Sequence, residues 1–124
     1  MPVILVVDDS MIIRKQLGMV LSKQGYEVKE AGGAEAALEL ARSDEPIGLI
    51  ISDVNMPGMN GLDMVEAIRK LDHRKSVPIF MLTTESTEHL QKEGMDKGAT
   101  AWIVKPFNEE QLLAGVAQVF AAES

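Results

Sequence analysis

The 124-residue chain has no cysteine, which removes disulfide frameworks, thiolate nucleophiles and zinc-thiolate centres from consideration. Redox chemistry through sulfur goes with them. Cations are in short supply: twelve Lys plus Arg stand against nineteen Asp plus Glu, 12 − 19 = −7. That balance repels a phosphate backbone or an anionic bilayer, so no direct nucleic-acid partner is expected. No apolar run approaches the roughly 18 to 20 residues of a membrane span, and Met1-Pro2-Val3-Ile4 lacks the basic and apolar stretches of a signal peptide. The expectation is a cytoplasmic protein with no membrane insertion. What remains, 46% hydrophobic and 25% charged residues, is the composition of one soluble globular domain.

The apolar residues come in short blocks. Val3-Ile4-Leu5-Val6-Val7 is a continuous, β-branched run that stops at Asp8-Asp9, the pattern of a strand covered on both faces. Ile13, Leu17, Val20 and Leu21 then recur with helical spacing, and Gly25 is placed to stop the helix. Tyr26 to Glu30 reads as a second strand, and Ala34 to Arg42 as a helix of high propensity. A third strand runs from Ile47 through Ile51 to Ser52-Asp53, and Leu62, Val65 and Ile68 mark the next helix. Val77 to Leu82 is a fourth strand, with Pro78 near its start, and Glu88 to Lys97 a more polar helix. Ala101 to Val104 makes a fifth strand before a last helix, for which Asn108 and Gln111 have capping spacing. Five βα units imply a parallel sheet with helices on both faces, too few for a barrel, hence an open doubly wound α/β fold.

Ligands of such sheets bind outside the carboxyl ends of the strands. The residues at those ends are Asp8, Asp9, Asp53, Thr83 and Lys105: three carboxylates, a hydroxyl and an ammonium. Clustered carboxylates repel unless a cation compensates, and oxygen donors without His or Cys nearby favour a hard ion such as Mg²⁺. His73 and His89 lie in polar segments without ligand spacing and read as surface residues; Met11, Met56 and Met59 flank the site.

Four fragments together, Val6-Val7-Asp8-Asp9-Ser10, Asp53 to Gly61, Leu82-Thr83-Thr84 and Val104-Lys105-Pro106-Phe107, resemble the CheY-like receiver domain of bacterial two-component response regulators. The resemblance spans essentially the whole chain. It implies a flavodoxin-like sheet of order 2-1-3-4-5 with five helices, and a single receiver domain over residues 1–124 with no output domain. It also implies roles. Asp53 would be the phosphoacceptor, attacking a phosphohistidine of a histidine kinase. Asp8, Asp9, Asp53 and the backbone carbonyl of Asn55 would hold Mg²⁺ or Mn²⁺, with Asp8 acting mainly through bound water. Lys105 would pair with a phosphoryl oxygen. Thr83 and Trp102 would form the switch, and Asn55 with Glu85 would tune dephosphorylation toward a short-lived phosphate.

The implied protein is therefore a phosphoacceptor signalling monomer rather than an enzyme in the usual sense, with self-phosphorylation and autodephosphorylation of its own. Its downstream protein target would bind the face made by the fourth helix, fifth strand and last helix, in a chemotaxis-like role; a phosphorelay intermediate or a phosphate sink is the alternative. Three positions depart from the best-known chemotaxis regulators: Trp102 where Tyr or Phe is more usual, Thr84 in place of a small residue, and Glu88 where motor-binding regulators carry a basic residue. Two other classes compete. A flavodoxin-like cofactor protein would need a first loop that welcomes phosphate, and Asp8-Asp9 would repel it. An aspartyl phosphohydrolase would need an acid/base carboxylate two residues past Asp53, where Asn55 stands.

Overall fold

In a computed structural model of the chain, described here for residues 2–84 and 87–122, strands and helices alternate. They are β1 (Val3–Val7), α1 (Met11–Ser22), β2 (Glu27–Ala31), α2 (Ala34–Arg42), β3 (Leu49–Ser52), α3 (Gly61–Arg69), β4 (Ile79–Thr83), α4 (Glu88–Lys97), β5 (Ala101–Val104) and α5 (Glu109–Ala122). All strand pairs are parallel, and the order across the sheet is β2-β1-β3-β4-β5.

The unbroken apolar runs follow from burial on both faces. Within β1, Leu5 and Val7 point toward α2 and α3, among Ala37, Leu38, Val65 and Ile68. Ile4 and Val6 point the other way, among Leu17 and Leu21 of α1 and Leu112 and Val116 of α5. Each such fully buried side chain contributes about 1.5–3 kcal/mol relative to exposure. The β2 edge carries Glu27, Lys29 and Glu30, charges that discourage pairing with another chain. At the opposite edge, β5 shows only partial burial along Ala101, Trp102 and Ile103, and Val104 is exposed.

Several boundaries differ from the sequence expectation. α1 begins two residues before Ile13, because the Ser10 hydroxyl caps it by accepting from Ile13 N (3.3 Å). β2 starts at Glu27 and not Tyr26, whose ring instead packs on Phe120 with centroids 5.3 Å apart. β3 and β4 each start two residues later than expected, at Leu49 and Ile79. Pro78 thus lies just outside the ladder, where its carbonyl still accepts from Ile50 N (3.0 Å). A 3₁₀ turn at Asp72–Arg74 was not foreseen. There, Arg74 is buried and donates to the carbonyls of Ala41, Ser43 and Glu45 (2.7–2.9 Å), filling the unsatisfied C-terminal end of α2. α5 starts as read, with Gln111 N donating to Asn108 Oδ1 (3.0 Å). Among the described residues no helix is long and apolar enough to cross a membrane.

Candidate functional site

β1 and β3 are neighbours, so the residues following them leave the sheet side by side. Asp8 N still donates to Ala31 O (3.2 Å) and Asp53 N to Val7 O (3.1 Å), which carries the ladder one step past the strands and fixes both backbones. Asp8 is 3% exposed, Asp53 half-buried and Asp9 exposed. Carboxylate oxygens of Asp8, Asp9 and Asp53 lie within 4.8 Å of one another. Lys105 comes from the end of β5, where its amide donates to Thr83 O (2.8 Å). Its ammonium reaches across the sheet to Asp8 Oδ2 (2.9 Å) and Asp53 Oδ2 (3.1 Å). The Lys105–Pro106 peptide bond is cis.

The second carboxylate oxygens of Asp8 and Asp53 are held by backbone. Asp8 Oδ1 accepts from Ser10 N (2.9 Å), and Asp53 Oδ1 accepts from Val54 N (2.6 Å) and Asn55 N (3.3 Å). Burial pulls the Lys105 ammonium toward lower proton affinity, but its bonds and charge contacts with Asp8 and Asp53 outweigh that, and its pKa lies above the ordinary lysine value. One ammonium against three carboxylates leaves a formal excess of two negative charges, −3 + 1 = −2. An all-oxygen, partly open cluster with that excess has the chemistry of a hard divalent cation site, so Mg²⁺ fits the donors.

Thr83 is fully buried at the end of β4. Trp102 is half-buried and packs with the cluster under α2, α3 and α4. A Cβ built on Gly94 of α4 would lie 2.7 Å from Trp102 Cζ3, so the indole rests directly on the helix backbone. Gly61, at the start of α3, packs so closely beneath the Asp53 carbonyl that no side chain fits there. Asn60 caps that helix by accepting from Asp63 N (2.9 Å). Glu85 lies outside the described residues. Of the flanking methionines, Met11 is exposed, Met56 buried and Met59 half-buried. His73 and His89 are exposed, and His73 Nε2 lies 3.0 Å from Ser43 O.

One neighbour was missed in sequence. The Arg14 guanidinium, on the second turn of α1, donates to the Asp8 carbonyl (2.7 Å) and pairs with Glu30 (3.2 Å). No spacing rule marks it, since its target is a backbone oxygen.

A five-stranded parallel sheet of this order, with an acidic pocket and a lysine at its carboxyl edge, defines a class: the response regulator receiver domains, whose family matches residues 4–117. The chain belongs to that family, and is thereby a two-component signalling protein. It is similar to the chemotaxis protein CheY1 of Helicobacter pylori, 39% identical over 110 residues, covering 88% of this chain and 89% of that one. Among solved structures it resembles chemotaxis response regulator CheY4 of Vibrio cholerae, with a TM-score of 0.90 and 44% identity over 96% of this chain and 98% of that one. It is also 37% identical to the transcriptional regulatory protein PdtaR of Mycobacterium tuberculosis, over 91% of this chain. The chain spans about half the length of that regulator (54%).

Proposed function

We propose that Asp53 accepts a phosphoryl group from a phosphohistidine of a histidine kinase, and that the phosphorylated domain signals by binding a protein target, in a chemotaxis-like role. The observation that carries this reading is the Lys105 ammonium spanning Asp8 and Asp53 beside a three-carboxylate cluster. An Asp53 oxygen attacks phosphorus, the P–N bond breaks, and its electron pair stays on the imidazole nitrogen. In-line transfer of this kind needs positioning and charge neutralisation more than covalent chemistry. Lys105, already between the two carboxylates, turns its charge to a phosphoryl oxygen. The Thr83 hydroxyl donates to another. Asp8, Asp9, Asp53 and the Asn55 carbonyl would hold Mg²⁺ or Mn²⁺, which when bound offsets charge on the carboxylates and the phosphoryl oxygens.

The Asp53 carboxylate would likewise take a phosphoryl group from a small-molecule donor, whose remaining part leaves with the bonding electron pair, and give it up as inorganic phosphate when water attacks phosphorus, with Asn55 and Glu85 tuning the lifetime. Drawing Thr83 toward the phosphoryl group changes the packing of Trp102, and with it the face of α4, β5 and α5 that the target reads. Beside the indole, a groove lined by Trp102, Val104, Pro106, Asn108 and Gln111 opens on that face.

Incubation with acetyl phosphate and Mg²⁺ should add one phosphoryl mass to the wild-type protein and none to Asp53→Asn, read by intact-mass spectrometry. An adduct that persists in Asp53→Asn overturns the assignment.

A further inference from the structure

Beyond the main-chain bond from Asp8 N to Ala31 O, the acidic loop after β1 is held by two cationic side chains, and these two ties differ in kind. Lys105 holds it through a carboxylate oxygen, Asp8 Oδ2, with an ammonium that also bonds Asp53 Oδ2. In the phosphotransfer reading Lys105 turns toward a phosphoryl oxygen, so that tie loosens when the site is in use. Arg14 holds the same residue by its backbone: Nη1 donates to the Asp8 carbonyl at 2.7 Å, a short, charge-assisted bond. The guanidinium is aimed from the other side by Glu30 of β2, whose Oε1 accepts from Nε at 3.2 Å. Lys15 completes the group on Glu30 Oε2 at 2.9 Å, but its side chain is 63% exposed against 17% for Arg14. Of the two cations on Glu30, the shielded one therefore reaches the site.

We propose that Arg14 is a positioning residue for the metal-holding carboxylates, fixing the Asp8 backbone to the β2 edge so that Asp8 and Asp9 keep their places when Lys105 turns away. The inference rests on the phosphoacceptor reading above. It requires the geometry of the guanidinium and not only its charge. One planar group offers Nε to Glu30 and Nη1 to Asp8 O at the same time, whereas an ammonium at the end of a lysine is a point charge without that fork. Groups that orient metal ligands from behind typically change metal affinity by about 10–100-fold when removed.

The test is Mn²⁺ binding to the whole chain without any phosphoryl donor, counted from the free-ion electron paramagnetic resonance signal. Arg14→Lys and Arg14→Gln should each weaken binding by about tenfold. Glu30→Gln, which keeps an acceptor for Arg14 but removes the charge that draws it, should fall between them and wild type, and it serves alone if the Arg14 variants fail to fold. Phosphorylation by acetyl phosphate should slow in Arg14→Lys at limiting Mg²⁺ and recover at saturating Mg²⁺.

Wild-type affinity in Arg14→Lys, or tighter binding in Arg14→Gln, would mean that Arg14 acts as a charge and overturns the proposal. So would a lower melting temperature with unchanged Mn²⁺ affinity, the signature of a plain stitch between α1 and β2. Asp9→Ala separates the two readings. If it loses Mn²⁺ while Arg14→Lys does not, only the role of Arg14 falls; if it binds as wild type does, the metal site falls and the positioning role with it.

Discussion

Lys105 concentrates the electrostatics of the site in one side chain. It is 14% exposed and lies within 3.1 Å of two carboxylates whose side chains are 4% and 13% exposed. Breaking a pair this shielded strands the remaining charges, which costs about 3 kcal/mol. Lys105→Met should therefore destabilise the metal-free protein by about that amount near neutral pH, measured by urea unfolding. The pH dependence has a definite sign. Because the folded-state pKa of Lys105 is raised above 10.5, against the pull of burial and by the bonds to Asp8 and Asp53, its contribution is complete below about 10.5 and is lost as pH rises through the folded value. The stability gap between wild type and Lys105→Met should narrow in strongly alkaline buffer. A gap that widens there, or no gap at neutral pH, would refute the pairing.

At the scale of elements, α4 is the least embedded helix and the one tied most closely to Trp102. Gly94 is its only buried residue. A Cβ there would come within 2.7 Å of Trp102 Cζ3 and 3.2 Å of Leu62 Cδ2. Two effects oppose each other in Gly94→Ala: the helix gains about 1 kcal/mol in propensity, and overpacking costs about 1–3 kcal/mol. The overlap wins, because the indole is rigid and cannot yield like the end of a flexible chain. Gly94→Ala should therefore shift Trp102 emission to the red and bring no gain in stability. In a Trp102→Leu background, where the obstruction is gone, the same substitution should stabilise the domain. Unchanged emission together with a stability gain in the wild-type background would show that the added methyl fits beside the indole without displacing it.

Element ends were not equally legible. α2 and α4 have the bounds their residues suggest, since helix propensity is local, and β1 and β5 do as well, because every residue of their apolar runs finds a partner in register. The starts of β3 and β4 fall later than the apolar runs imply, because a strand exists only where a partner is in register. Ile47 is buried without being in β3, and Val77 precedes the first paired residue of β4.

At the scale of the whole molecule, a cation that binds the native carboxylate cluster and not the unfolded chain stabilises by mass action. At a hundred times its dissociation constant Mg²⁺ should add about 2.7 kcal/mol, which for a domain of this size is roughly 10 °C in melting midpoint. Asp9→Ala should lose the shift, while NaCl at matched ionic strength should not reproduce it. Equal shifts with NaCl and with Mg²⁺ would reduce the effect to general screening of the −7 chain.

The sequence by itself determined what is local. Apolar blocks that end at Asp8, Asp53, Thr83 and Lys105 announce strands whose carboxyl ends carry chemistry, and five βα repeats leave only an open parallel sheet, because connection length and handedness exclude the alternatives. The resemblance then supplied the order of strands, which spacing alone does not. Only the tertiary structure decided which of those residues meet. Lys105 bonds to Asp8 and Asp53 across 97 and 52 residues of chain, distances along the sequence that carry no information until β1 and β3 are neighbours. Arg14, Arg74 and Gly94 were invisible for the same reason: their partners are backbone carbonyls and one indole. Every residue has a carbonyl, and which one a buried guanidinium finds is settled by how the helices pack on the sheet.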